Sequence, residues 1–266
     1  MLPIAAISRE TAENLSGVLF DLDDTFLDGG LLSENAYGSL FRLREAGLIL
    51  VAVTGRPSGW GEVLALQWPV HGFVTENGAV SIVNQDGALQ ITEEVDTEAR
   101  IERKSRLLSL AESMMSAFPD LRPSKDVAMR RSDFTFDVGE FRQVQSRIVT
   151  EAMNFAQAQG AISIRSSVHL HISFDGSDKA SGTLRLLRQK FGFDMTDARR
   201  QFAFIGDSEN DEAGFAAFQT SVAVANLRGR PTISPQYVTR AERSLGFVEF
   251  AEHITRLRRP TLAQGP

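Results

Sequence analysis

Two hydrophobic patterns alternate along the chain. Continuous apolar runs at residues 17–22 (GVLFDL), 48–53 and 72–75 read as buried strands, because a strand covered on both faces keeps no polar side. Amphipathic stretches lie between them. Ser33 suits a helix cap, and Ala36, Leu40 and Leu43 then fall on one helical face before Gly47 stops the run. Pro57, with its fixed φ, suits the opening of another helix. Buried strands separated by helices predict a parallel sheet with helices on both faces.

The pattern changes after Asn77. Residues 79–83 and 88–91 flank Asn84-Gln85-Asp86-Gly87, a hairpin signal. A long helix follows, with Ile101, Leu108, Ala111, Met115 and Phe118 expected on its apolar face, and residues 127–137 read as two short strands. A second long helix is expected to align Phe141, Val144, Ile148, Ala152 and Phe155, ahead of two strands at 161–165 and 168–174. Beyond Gly176 the first pattern resumes, with a helix over about 177–191 and buried strands at 201–205 and 221–224. The expectation is an α/β fold in two parts. Residues 1–82 and 176–266 form a parallel-sheet core, and residues 83–175 form an inserted α+β domain.

Composition narrows the function. The 266 residues are 42% hydrophobic and 23% charged, which is globular rather than disordered. A net charge of −6 argues against nucleic acid as partner, and no apolar run reaches membrane-spanning length. Arg256, Arg258 and Arg259 read as a solvated C-terminal tail. With no cysteine there are no disulfides and no thiolate chemistry. That fits a reducing compartment, and with no secretory pattern at the N-terminus a cytoplasmic location is expected.

Four stretches carry candidate chemistry at the carboxyl edge of the predicted sheet, where open α/β sheets bind ligands. Asp21-Leu22-Asp23-Asp24-Thr25 gathers three carboxylates at a strand end. Such crowding raises the pKa of at least one member unless a cation sits among them, and oxygen donors select a hard ion such as magnesium. Thr54-Gly55 ends the second strand with a hydroxyl donor and a glycine that admits close backbone approach. Lys179 stands in a first helical turn, where the helix dipole disfavours a cation unless an anion is held there too. Gly206-Asp207-Ser208-Glu209-Asn210-Asp211 follows the strand FAFI with further oxygen donors.

In this order the stretches DxDxT, strand-end Thr, Lys and GDxxxD resemble the haloacid dehalogenase (HAD) superfamily of phosphohydrolases. The insert between Thr54 and Lys179, with TGRP and ENGA (76–79), resembles its Cof-type, or class IIB, branch of sugar phosphatases. Asp24 stands where many relatives carry glycine, and Ala180 departs likewise. The resemblance implies a Rossmann-like core with a substrate-selecting cap, a small phosphorylated substrate such as a sugar phosphate, and Mg2+ as cofactor. It implies Asp21 as nucleophile and Asp23 as general acid/base. Asp21, Asp207 and the Asp23 carbonyl would bind the metal, with Asp211 as ligand or water-orienter. Thr54, Gly55, Lys179 and Asn210 would hold the phosphoryl group.

In the insert, Arg130 and Arg131 read either as substrate-facing or as surface charge, and His169 and His171 as substrate-facing or as strand filling. Arg56 and Trp60 stand near the phosphate site, with a core position open for Trp60. From the cap, Arg131 and His171 are the substrate-binding candidates, with Arg56 from the core. A phosphomutase and a non-catalytic binding protein are the competing readings. The intact Asp21, Asp23, Lys179 and Asp207 argue against the second, and oligomeric state is left open.

Overall fold

The computed structural model describes residues 1–93, 95–166, 168–227 and 231–258. In chain order its elements are β1 (Leu2–Pro3), α1 (Arg9–Asn14), β2 (Gly17–Phe20), α2 (Glu34–Glu45), β3 (Ile49–Val53), α3 (Ser58–Gln67), β4 (Gly72–Thr75), β5 (Val80–Gln85), β6 (Ala88–Glu93), α4 (Thr97–Ala117), β7 (Asp133–Asp137), α5 (Ser146–Ala158), β8 (Ile162–Arg165), β9 (His169–Ser173), α6 (Lys179–Phe191), α7 (Met195–Gln201), β10 (Phe202–Gly206), α8 (Glu212–Ala217), β11 (Thr220–Ala223), β12 (Tyr237–Val238) and α9 (Arg243–Arg258).

Nine strands form one sheet in the order β1-β12-β11-β10-β2-β3-β4-β5-β6. Pairing is parallel from β1 to β4, and the β5–β6 hairpin is added antiparallel at the edge. Side chains of the central strands alternate between two apolar layers. Val18, Phe20, Leu50, Ala52 and Ile205 meet Ala36, Leu40, Phe247 and Phe250 on one face. Leu19, Val51, Val53, Phe202 and Phe204 meet Leu184, Leu187 and Phe215 on the other. The continuous apolar runs of the sequence follow from this two-sided cover. Ser33 caps α2 by accepting the amide of Ala36, as expected.

The second sheet is antiparallel, in the order β7-β9-β8. It has its own core, in which Phe134, Phe136, Leu170 and Ile172 pack against Leu107, Leu110, Met114, Val149 and Ala152. Between β4 and α6 the chain thus carries a second α+β layer, but the expected boundary at 82/83 falls inside β5, and the hairpin extends the large sheet instead. The physical reason is register: Phe73 pairs with Ile82 and Val74 with Ser81, so the hairpin continues the β4 ladder.

Four local expectations change. Residues 127–129 form a 3-10 turn rather than a strand, leaving β7 as the strand of that stretch. On α4 the buried stripe is Leu107, Leu110, Ala111 and Met114, while Ile101 is 63% exposed and Leu108 44%. The buried stripe keeps helical spacing one residue away from the expected one, so periodicity found the helix and burial chose its face. Phe141 precedes α5 and is 60% exposed. Arg258 belongs to α9, not to a solvated tail: its guanidinium donates to the carbonyls of Ala46, Ala12, Glu13 and Leu15, gathering the ends of α1 and α2. Arg259 lies outside the described residues. Among the described residues no helix is long and apolar enough to cross a membrane.

Candidate active site

Parallel pairing aligns the carboxyl ends of β10, β2 and β3, where three of the four chemical stretches leave the sheet, and the start of α6 brings Lys179 to the same edge. Asp21 follows β2 directly. Its Oδ1 accepts a hydrogen bond from Lys179 Nζ at 2.7 Å, and the same ammonium donates to Asp211 Oδ1 at 2.6 Å and reaches Asn210 Oδ1 at 3.5 Å. Lys179 is only 1% exposed, so this is a buried charge cluster rather than a surface pair. Burial pushes the Asp21 carboxyl well above its usual range; the Lys179 charge works against this, and Asp211, Asp207 and Asp23 add to it. Burial alone would lower the Lys179 ammonium, but Asp21 and Asp211 hold it above its ordinary value.

Lys179 reaches this position because α6 starts close to the turn after β4. A Cβ on Gly78 would lie 2.0 Å from the Asp178 carbonyl oxygen, and Gly78 has φ +110°, so glycine is required twice over. On the other side, a Cβ on Gly206 would lie 2.5 Å from the Asp211 carboxylate, so glycine lets that side chain fold back over the strand end. Asp211 Oδ2 then accepts the amides of Asp207 at 3.0 Å and Ser208 at 3.1 Å.

Oxygen atoms of Asp21, Asp207 and Asp211 all lie within 4.8 Å of one another. Buried, mutually repelling, all-oxygen donors fit a hard divalent cation. The Asp23 carboxylate stands outside this group. It is paired bidentately with Arg56, Nε to Oδ2 at 2.9 Å and Nη2 to Oδ1 at 2.6 Å, with its side chain 52% exposed. Asp23 opposes the effect of burial on Arg56 and leaves the guanidinium above its ordinary value. Both oxygens of Asp211 are already hydrogen-bonded, one to Lys179 and one to backbone amides.

Thr54 is buried, and its hydroxyl oxygen accepts the Arg56 amide at 3.1 Å. A cavity of about 750 Å³ opens above this floor, lined by Asp21, Asp23, Gly55, Arg56, Asp207 and Asn210 from the core. The three-stranded layer supplies Lys125, Phe141, Arg165, His169 and His171. Trp60 also lines the cavity, 42% exposed and with Arg56 over its ring at 5.2 Å, so it is a wall residue and not core. Arg131 is not among the lining residues: it pairs with Glu62 at 3.0 Å and Glu93 at 3.6 Å. Its pull toward two carboxylates near α3 and β6 turns it from the substrate space expected of it. His171 lines the cavity, with Nδ1 2.8 Å from Asp133 Oδ2.

Three positions have partners that the sequence reading did not give them. Asn226 donates to the Asp24 carbonyl at 3.0 Å and reaches Asp207 Oδ2 at 3.5 Å, tying two strand-end loops together. Arg130, expected as substrate-facing or surface charge, is buried between Asp126 and Asp133 and lines the cavity. Glu76 is buried and touches both layers. Asp24 has φ +58°, a left-handed conformation that glycine adopts without strain.

The order of these residues on their strands narrows the class to phosphohydrolases of the haloacid dehalogenase superfamily. Residues 17–239 match the family model described as sucrose-6F-phosphate phosphohydrolase. The chain belongs to this family, and so to the phosphoric monoester hydrolases of the class IIB, sugar-phosphate branch of that superfamily. A Methanosarcina acetivorans protein named phosphoglycolate phosphatase is 28% identical over 232 residues, spanning 86% of this chain and 93% of its own. A solved Thermoplasma acidophilum structure superposes with TM-score 0.73 at 18% identity, covering 91% of this chain and 99% of that one. The sucrose-phosphatase of Synechocystis sp., solved with sucrose and phosphate, gives TM-score 0.65 at 17% identity, covering 90% and 98%. At these identities the structural likenesses establish the fold.

Proposed function

We propose that the chain is a magnesium-dependent phosphatase of a small phosphorylated metabolite, a sugar phosphate or phosphoglycosyl compound, acting through an aspartyl-phosphate on Asp21. The observation that carries this reading is Asp21 itself: a buried carboxylate at a strand end, 2.7 Å from the Lys179 ammonium, in a three-carboxylate group beneath a cavity of about 750 Å³. The relatives' names, for phosphoglycolate and sucrose phosphate, support a small phosphomonoester.

Asp21 and Asp207 would hold the metal together with the Asp23 carbonyl. The bound cation supplies charge neutralisation at the transferring phosphoryl oxygens. An Asp21 carboxylate oxygen attacks phosphorus as the bond to the leaving oxygen breaks. Asp23 gives that oxygen a proton; it then takes one from the water that attacks the aspartyl-phosphate, releasing phosphate and restoring Asp21. To do so it leaves its pairing with Arg56. Lys179, Thr54 and Asn210 hold the phosphoryl group, in keeping with chemistry that depends on positioning and charge. The three-stranded layer with α4 and α5 serves as the cap: it covers the site and supplies one wall of the substrate space.

The test is phosphate release across a panel of phosphorylated sugars and acids. EDTA is expected to abolish release and added magnesium to restore it. Full activity in thoroughly chelated protein would refute the metal, and isomerisation of a hexose phosphate without phosphate release would favour a mutase.

A further inference from the structure

Glu76 occupies a position that its residue type does not favour. It follows β4 at φ +51°, and Asn77 and Gly78 after it also have positive φ. A glutamate held in the left-handed region, and buried as well, calls for a side-chain reason. The reason is visible in its partners. Oε1 accepts the amide of Ser58 at 2.9 Å, the first residue of α3, a helix whose preceding Pro57 offers no side-chain cap. Oε1 also accepts the amide of Arg131 at 2.9 Å, and Oε2 accepts the amides of Ser132 at 2.7 Å and Asp133 at 3.3 Å and the Ser132 hydroxyl at 2.7 Å. Three successive amides of the 131–133 segment therefore converge on one carboxylate of the core, the concave N–H arrangement that binds anions.

The same segment meets the phosphate loop from its other side. Arg130, its guanidinium fixed by Asp133 and Asp126, donates to the Gly55 carbonyl at 3.1 Å. Ser58 donates its hydroxyl to the Met129 carbonyl at 3.3 Å. The Glu76 and Asn77 amides in turn donate to the carbonyls of Arg56 at 3.0 Å and Thr54 at 3.2 Å. Residues 54–56 are therefore held between the 76–77 turn and the 130–133 segment, and one carboxylate joins those two.

We propose that Glu76 is a positioning residue, a latch whose carboxylate docks the 130–133 segment of the cap onto the core and thereby sets the Thr54–Arg56 loop for the phosphoryl group. The latch works through three backbone amides and one hydroxyl, that of Ser132, so it senses chiefly whether the cap is seated. It rests on the reading of residues 54–56 as the phosphate-holding loop. Undocking the 130–133 segment withdraws Arg130 from Gly55 and leaves a buried carboxylate with only its Ser58 donor, so docking and a formed phosphate loop occur together.

The experiment uses the full-length protein as wild type and as Glu76→Gln, Arg130→Gln, the double variant and Ser132→Ala. Thermal unfolding establishes that each is folded. Hydrogen exchange is read at amides 131–133, and inhibition by inorganic phosphate is measured against p-nitrophenyl phosphate hydrolysis. In Glu76→Gln an amide NH2 faces amide donors. The expected result is lost protection at 131–133, a rise of about tenfold or more in the phosphate inhibition constant, and a fall in kcat. Arg130→Gln is expected to raise the same constant, and the double variant to be no worse than the more damaged single variant, because both break one connection. Ser132→Ala, which removes one donor, is expected to fold normally and raise the constant two- to fourfold. It decides the matter if Glu76→Gln does not fold. Unchanged phosphate inhibition and unchanged exchange in the folded variants would overturn the latch, as would multiplying effects in the double variant. A wild-type protein that neither binds phosphate nor hydrolyses any phosphomonoester would refute the proposed function instead.

Discussion

Two lysines near the same cavity stand in opposite circumstances. Lys179, beneath the floor, is buried and bonded to Asp21 and Asp211. Lys125, on the cap wall, is exposed and lies over the Phe141 ring at 3.6 Å. In the floor one buried ammonium, Lys179, holds two carboxylates, Asp21 and Asp211, so that none of the three moves without leaving a buried charge uncompensated. The outer part of the cap wall, Lys125, Phe141 and Arg165, is exposed and can be exchanged at little cost in stability. Fixed charge suits the part that must stabilise a transferring phosphoryl group, and exchangeable contacts suit the part that selects a leaving group.

The most severe way to break this contrast is at the floor. Asp21→Asn removes the nucleophile, and kcat is expected to fall by about 10⁴- to 10⁶-fold. No phosphorylated protein should then be seen in rapid-quench mass spectrometry with any substrate; residual turnover near the wild-type rate would remove Asp21 from its role. Asp23, on the boundary between floor and cavity, should show an intermediate effect. Asp23→Asn is expected to cost about 10²- to 10⁴-fold on a sugar phosphate and distinctly less on p-nitrophenyl phosphate, whose leaving group needs no proton. Equal losses on both, in matched steady-state assays, would show that Asp23 is not the acid.

At the cap wall the effect should be smaller and of a different kind. Lys125→Ala and Arg165→Ala are expected to change KM by about tenfold or less, with kcat on p-nitrophenyl phosphate held, since uniform binding lowers KM without touching the chemical step. A large fall in kcat on the aryl phosphate would erase the distinction between floor and wall. The smallest effect concerns the buried cap network. Burial holds His171 below its ordinary value of 6.5, more than its Asp133 partner raises it. Burial favours the neutral acid of Asp133, but the Arg130 guanidinium overrides this and brings it down to about 2. Arg130, rather than a protonated His171, thus supplies the counter-charge. Unfolded imidazole takes a proton near 6.5, whereas the folded one takes it only at lower pH. Stability from neutral His171 is therefore present above about 6.5 and is lost as pH falls through the folded value. His171→Asn should flatten part of the fall in Tm between pH 7 and pH 5. Part remains, because burial also lowers His71 and His253. An unchanged slope would mean that His171 titrates normally.

The floor was far more legible in the sequence than the wall. Asp21, Thr54 and Asp207 each end an apolar run, so the local pattern that marks a buried strand also marks its carboxyl end, and parallel pairing brings these ends to one edge. The wall offered no such signal. Arg131 and Arg130 are neighbours of identical type, yet one pairs with Glu62 and the other reaches Gly55, 75 residues away in sequence. Asn226 follows a strand as any loop asparagine does, and only the arrival of Asp24, 202 residues distant, makes it a tie between loops.

What the sequence by itself determined is the alternation of buried strands and helices in the core, the edge at which the carboxylates gather, and the residue types available for phosphoryl transfer. Those features are written in short-range periodicity and in the residue that ends each run. Tertiary structure alone decided that the 80–93 hairpin extends the large sheet, that the Asp23 carboxylate rests against Arg56, that Arg131 faces away from the cavity, and that Glu76 joins the two layers. The reason is that a buried charge or amide must find a partner wherever the packed chain supplies one. That partner is chosen by which segments meet in space, 33 residues apart for Asp23 and Arg56 and 55 for Glu76 and Arg131, and no local pattern carries that information.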